Sequence, residues 1–333
     1  MDNDDEHSQQ ETSPERTKKR GGLYLQSEDK KLKILVTGGT GFIGNELTRC
    51  LLDKDFHVTI LSRFPDLARR HCGIGVNVIG HFDEIKADDT YNIVINLAGA
   101  PIFGARWSDS RKEILRDSRI KFTQKLVSCM SSMAIKPELL ISGSAIGYYG
   151  YQGDIALTEQ SATKTDFSQQ LCFDWEHEAN KATELGVRVC LIRTGLVLGK
   201  NGGLLGRMLL LYKLGLGGRL GNGRQWMSWI HRKDWVAIAL RMIAEPSMQG
   251  SYNATTPNPV SNDEFSHTLA NTLKRPALLP LPAWLLKKLL GEMSELVLGS
   301  QRVLPERLLA EGFEFQYSNL SNALVDIIEP KVY

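Results

Sequence analysis

Gly38, Gly41 and Gly44 stand three residues apart in TGGTGFIG (37–44). Glycines so spaced let a chain turn tightly and bring its backbone close to a pyrophosphate, and the amino end of a following helix adds free N–H groups and a favourable dipole. The stretch directly follows the apolar run LKILVTG (32–38) and opens a segment with Leu47, Leu51 and Leu52 on one side. That strand–loop–helix setting separates a dinucleotide loop from a glycine-rich turn without a ligand. Gly38, Thr40, Gly41, Phe42, Ile43 and Gly44 are therefore the candidate pyrophosphate cradle. A second strand, HVTILSR (57–63), ends in Ser62 and Arg63, with no acid before Asp66. An NAD site puts a carboxylate there for the ribose hydroxyls, whereas a planar guanidinium suits a 2′-phosphate. The expected cofactor is NADP(H); a solvated surface arginine is the alternative role for Arg63. In NLAGAP (96–101) the small or apolar Leu97, Ala98 and Gly99 close a further strand where the backbone must pass the cofactor.

A second constellation lies in ISGSAIGYYGY (141–151). Ser142 is assigned to the cofactor side and Ser144 to the expected nicotinamide position, followed by Tyr148, Tyr149 and Tyr151. Ser144 could hold a substrate oxygen, or could bond its own backbone as loop serines do. Tyr148 and Tyr149 are the candidate proton donors; a phenol of ordinary pKa, about 10, is a weak base at neutral pH but a serviceable donor. Farther on, GGRLGNGRQWMSWIH (217–231) brings together Arg219, Arg224, Trp226, Trp229 and His231. Arginines among aromatics suit an anionic or sugar-like ligand, and tryptophans equally anchor loops to a core.

These residues need a scaffold, and the chain supplies an alternation of strands and helices. Apolar runs at 76–80, 91–99, 137–145 and 188–199 extend the first two strands to six. Between them lie helical stretches over about 108–133, with the stripe Leu115, Phe122, Leu126, Met130 and Met133, and over about 166–185, with Phe167, Leu171, Trp175, Ala179 and Ala182. Ser118 and Arg119 fall on the first stripe, pointing at a cleft or paired inside. The expected fold is α/β: a Rossmann-type doubly wound parallel sheet over 32–200, with 231–255 contributing, and a smaller C-terminal substrate lobe from 201–230 and 256–333. The apolar side of the helix at 282–293 reads as core or as the seam of a homodimer. Residues 1–31, acidic then basic, lack the apolar content to fold and read as a disordered tail.

The whole chain of 333 residues is 42% hydrophobic and 23% charged, with a net charge of +2. That composition is globular and predicts no strong pull toward nucleic acid or an anionic membrane. No apolar run is long enough to span a bilayer. The five cysteines are scattered without a CxxC pair, so no metal site is expected and a reducing, cytoplasmic setting is.

TGGTGFIG, NLAG, ISGSAIGYYG, LIRTGLVLG and GNGRQWMSWIHRKD resemble motifs of the extended short-chain dehydrogenase/reductases. RWSDSRKEILRDSRI, LCFDWE and LGSQRVLPERLLAEGFEF resemble an atypical branch, the "epimerase family", which ends in a small domain of unknown function. The resemblance covers 32–328 and implies an NADP(H)-binding Rossmann fold without naming a substrate. Typical superfamily members use a serine, a tyrosine and a lysine one helical turn later. Ser144 matches the serine, but on the family pattern Ser168 takes the tyrosine position and Cys172 the lysine position. No tyrosine occurs between Tyr151 and Tyr212, and Lys181 falls about two turns late. Two readings follow. One is an oxidoreductase or epimerase with an atypical active site, acting on a small carbonyl or sugar-like substrate. The other is a non-catalytic NADP(H)-binding regulatory protein, linked to cell division because relatives are described as SulA-like division inhibitors.

Overall fold

The computed structural model describes residues 31–73 and 75–329; nearly all of the expected disordered tail lies outside them. Seven parallel strands form the central sheet: β1 (Lys33–Thr37), β2 (His57–Leu61), β3 (Val76–Ile79), β4 (Ile93–Asn96), β5 (Leu139–Ala145), β6 (Arg188–Thr194) and β7 (Gly250–Ala254). Their order is β7-β6-β5-β4-β1-β2-β3. The chain winds outward from β1 to β3, returns to the other side of β1 at β4, and winds outward again. The crevice where the direction reverses, beyond the carboxyl ends of β1 and β4, is where such sheets bind ligands.

Burial on both faces explains why these strands read as unbroken apolar runs. Ile34 and Val36 pack on one side with Leu47 and Leu51 of helix α1 (Gly44–Asp53) and Ala68 of α2 (Pro65–Cys72). Leu35 and Val94 pack on the other with Leu126 and Met130. The expected long helix is interrupted. After α3 (Asp109–Arg116), capped by Ser108, comes a π turn over Asp117–Lys121, then α4 (Phe122–Ser132). The next helix, α5 (Phe167–Asn180), starts at Asp166, whose carboxylate accepts from Gln169 N.

The apolar run at 188–199 also divides. A Cβ at Gly195 would lie 2.4 Å from Ser228 O, so the chain leaves the sheet there, and Leu196–Leu198 pairs instead with Trp229–His231. Three helices then build a separate apolar cluster: α6 (Gly203–Lys213), α8 (Asn262–Leu273) and the helix Leu320–Ile328, with Leu205, Tyr212, Phe265 and Leu324 inside. Helix α7 (Arg232–Ala244) covers the main sheet through Trp235 and Ile238. Of the residues expected to form one apolar side at 282–293, Leu286 and Met293 are buried, while Leu289 is exposed at the end of α9 (Ala283–Leu290).

Candidate active site

The glycine loop is built for close approach. Gly38 adopts φ +71°, and a Cβ there would lie 2.5 Å from Leu97 O; one at Gly44 would lie 2.2 Å from Gly38 O. No side chain caps the first turn of α1, whose N-cap is Ile43, so its end is open to an anionic ligand. Beneath the loop a buried polar chain ties four elements together. Thr37 donates to Asn96 Oδ1 (2.8 Å), Asn96 Nδ2 donates to Thr123 Oγ1 (2.8 Å), and Trp175 Nε1 donates to the same hydroxyl (3.0 Å). Thr37 also accepts from Ala98 N (3.3 Å), which fixes the 97–99 turn beside Gly38.

Not every residue of the expected cradle faces this crevice. Phe42 wedges its ring under the 199–203 turn, where a Cβ at Gly202 would lie 2.3 Å from it, and Arg232 stacks over it at 4.9 Å. Ile43 packs against the core. Ser142 is fully buried inside the sheet, accepting from Asn96 Nδ2 at 3.3 Å. At the end of β2, Ser62 accepts from Phe64 N (3.2 Å), Arg63 is exposed, and the nearest acid in sequence, Asp66, is engaged by Arg69 at 3.0 Å. Arg63 has no salt-bridge partner among the described residues, and a guanidinium so placed suits a 2′-phosphate.

Ser144 lies at the end of β5 within a buried ionic network. Its hydroxyl donates to Glu176 Oε1 at 2.6 Å. Arg193, on β6, forks onto both oxygens of Glu176, each at 2.9 Å, with both side chains almost wholly buried. Burial alone would lower the Arg193 pKa, but the bonds and charge of Glu176 outweigh it and raise it. Arg193 also donates to Tyr149 (3.0 Å), which donates to Asn253 Oδ1 (2.6 Å). Tyr149 is fully buried, and burial pushes its phenol up to about 12. Tyr148 is half-buried, with Arg193 over its ring at 3.5 Å. Of the two candidate donors, Tyr149 is thus locked in the network and Tyr148 sits at its rim.

The two positions that match the superfamily's tyrosine and lysine face the turn after β5. A Cβ at Gly147 would lie 3.1 Å from Ser168 Cβ and 3.5 Å from Cys172 Sγ. Cys172 is buried, and burial followed by the charge of Glu176 pushes its thiol up to about 12. No thiolate forms there at neutral pH. A cation does approach from elsewhere. Arg119, in the π turn, stacks over Trp175 at 5.4 Å, lies under Gly99 and acts electrostatically on Cys172. It donates to Ala100 O (3.1 Å), while neighbouring Ser118 accepts from Ala100 N (3.0 Å). No carboxylate pairs with Arg119 among the described residues, and burial lowers its pKa. Of the two roles open to Ser118 and Arg119 in sequence, the bonds show both paired inside to the main chain, Ser118 also donating to Leu115 O (3.1 Å), with Arg119 directly beneath Gly99 of the 97–99 turn.

In the segment at 217–231 the anchoring role is seen at Trp229 and His231. Trp229 is fully buried, and Trp226 donates to Asp154 Oδ1 (2.8 Å). His231 is buried and stacked on Tyr317, 3.9 Å between centroids. Arg219 and Arg224 are exposed. Sequence reasoning missed Arg193, Asn253 and Gln301, which holds the turn after β5 through Ile146 O (3.0 Å) and Gly150 O (2.8 Å). Arg193 left one signal, a charge at the end of a buried apolar strand, which requires a partner.

Known proteins agree with this architecture. A model of the NAD dependent epimerase/dehydratase family matches residues 34–255, and a domain of unknown function, DUF1731, matches 281–327. An epimerase family protein of Staphylococcus epidermidis is 40% identical over 299 residues, covering 89% of this chain and 99% of that protein. A chloroplastic epimerase family protein of Arabidopsis thaliana is 38% identical over 317 residues, 92% of this chain and 90% of that one. The crystal structure of human epimerase family protein SDR39U1 with NADPH is 31% identical, with a TM-score of 0.81 over 90% of this chain and all of that one. The crevice geometry and these likenesses lead to one assignment: the chain belongs to the NAD dependent epimerase/dehydratase family, in its epimerase family branch.

Proposed function

We propose that the protein binds NADP(H) across the carboxyl ends of β1 and β4 and acts as an oxidoreductase or epimerase without the usual tyrosine–lysine pair, on a small carbonyl or sugar-like substrate bearing a negative charge. The observation that carries this reading is Arg119, a desolvated guanidinium packed beneath Gly99, beside the crevice turn, and without a carboxylate partner among the described residues. A desolvated cation so placed favours an anion, and its planar fork suits a carboxylate or phosphate. When bound, the cofactor supplies or accepts the hydride. Gly38, Gly41 and Gly44 admit its pyrophosphate, and Arg63 with Ser62 meets the 2′-phosphate. Ser144 spends its proton on Glu176, so its lone pairs are left to accept from a substrate hydroxyl. Tyr148 is the phenol left to move a proton at the substrate oxygen.

Arg119→Ala tests the substrate half of the reading. NADPH affinity should stay within about twofold while kcat/KM falls roughly 10- to 100-fold, the loss expected for one charge-assisted hydrogen bond. Unchanged kcat/KM would overturn the role of Arg119.

The locked Tyr149 and the buried, protonated Cys172 favour a second reading, an NADP(H)-binding regulatory protein without turnover, as the division-inhibitor resemblance implies. Tight NADPH binding with no hydride transfer to any substrate class would favour it.

A further inference from the structure

Helix α6 is apolar on the side left uncovered among the described residues. Its inward side chains, Leu205, Met208 and Tyr212, are buried. Leu210 and Leu211 point outward, 65% and 50% exposed, and Leu214 just beyond the helix is 64% exposed. A helix apolar on both sides is ordinarily covered on both. The patch does not end there. The segment after α6 runs beside the one before α9, with Leu279 N donating to Gly217 O (3.2 Å) and Leu281 N to Arg219 O (2.9 Å). This brings in Leu216, Leu278 (78% exposed) and Leu279, and Trp284 follows in the first turn of α9, 66% exposed.

The charges around this patch are predominantly of one sign; the acid at its edge, Asp263, is engaged by Arg219 at 3.8 Å. Between Glu184 and Asp234, and again between Glu264 and Glu292, the sequence carries no acidic residue. Arg207, Lys213, Lys274, Arg275, Lys287 and Lys288 are all exposed. None has a carboxylate partner within salt-bridge distance among the described residues. Arg275 is drawn against α6 by its bond to Lys213 O (3.3 Å), so the cations flank the leucines. The overall charge of +2 conceals this surface because the acids lie elsewhere in the chain.

We propose that this face, formed by the outer side of α6, the paired segments 214–220 and 276–281 and the start of α9, docks on an anionic lipid surface. Leucine and tryptophan side chains that enter the headgroup boundary, ringed by lysine and arginine, are the pattern of a protein that lies on a membrane without spanning it. A second copy of the chain fits less well. A two-fold contact through this patch would set the unpaired lysines and arginines of one copy against those of the other, and Asp263 at its edge is already engaged by Arg219. A large apolar patch left in water is also a liability in a monomer.

Flotation of the full chain with vesicles tests the proposal. Neutral phosphatidylcholine vesicles are compared with vesicles containing about one-third phosphatidylserine, at low and high salt. The full chain should float with the anionic vesicles, bind neutral ones at least about tenfold more weakly, and be released by salt. Lys287→Glu with Lys288→Glu should cut binding at least about 20-fold, at roughly fivefold for each charge removed. Leu214→Ser with Leu278→Ser should also abolish it. Both pairs are exposed, so melting temperature and NADPH affinity should stay unchanged. Three results would each overturn the proposal: no binding to anionic vesicles, equal binding to both compositions, or a concentration-dependent dimer lost in Leu214→Ser while vesicles are ignored.

Discussion

At the scale of single residues, the account rests on where charges sit and what faces them. Arg63 is exposed at the end of β2 with no acid competing for it. Arg63→Ala should therefore weaken NADPH binding about 10- to 100-fold and NADH binding less than twofold, measured by fluorescence titration. Equal losses would remove the 2′-phosphate from its role. Glu176 does a different job. It is the carboxylate partner of Arg193, and both are shut away from water. Glu176→Gln should cost about 3–5 kcal/mol of unfolding free energy by leaving a buried cation unpaired, as read by urea denaturation. The amide oxygen can still accept from the Ser144 hydroxyl, so residual activity in the variant would separate the fold's need for the carboxylate charge from the chemistry's.

At the scale of elements, His231 links the strand before α7 to the helix Leu320–Ile328. Its Nδ1 accepts from Lys233 N (3.1 Å), and its Nε2 lies 3.4 Å from Asp326, which Lys233 also bonds. Burial lowers its pKa to about 4, against the nearby pull of Asp326 in the other direction. The unfolded chain, with an ordinary histidine, takes up the proton first as pH falls. The stability this histidine contributes is thus present above about pH 6.5 and is lost as pH drops toward 4, by roughly 2–3 kcal/mol. Unfolding followed across that window should be flatter in His231→Asn, whose amide oxygen can still accept from Lys233; identical slopes would contradict the assignment.

The same scale shows what could be read in advance. Six strands were legible because parallel strands buried on both faces leave apolar runs. The seventh, GSYNA, has two half-buried residues at its start and pairs on one side alone, so it leaves none. The π turn was hidden because Asp117–Lys121 continues a helical pattern. The glycine loop was legible because its close backbone approach is local, set by glycines three residues apart in one turn. The Glu176–Arg193–Tyr149 network was not, since it joins a helix, a strand and a turn that meet only in space. Within the loop, spacing could not tell which side chains turn toward the crevice, and Phe42 and Ile43 turn away; on β5, Ser142 does too.

At the scale of the whole molecule, the sheet presents a crevice at the carboxyl ends of β1 and β4, and segments from the C-terminal part of the chain reach the turn after β5. Gln301 reaches back to hold the turn after β5, and a Cβ at Gly299 would lie 2.1 Å from the Tyr151 ring. Burial and then Asp166 raise the pKa of Tyr151, which leaves Tyr148 as the phenol at the rim for proton transfer. The central claim is that this crevice transfers hydride without a tyrosine–lysine pair. The most direct measurement is single-turnover oxidation of protein-bound NADPH, followed by absorbance against a panel of aldehydes, ketones and nucleotide-sugar ketones, with anionic members included. The account predicts saturable oxidation by an anionic carbonyl compound, faster than without protein and lost in Arg119→Ala. Tight NADPH binding with no oxidation by any member of the panel would contradict it and support the regulatory reading.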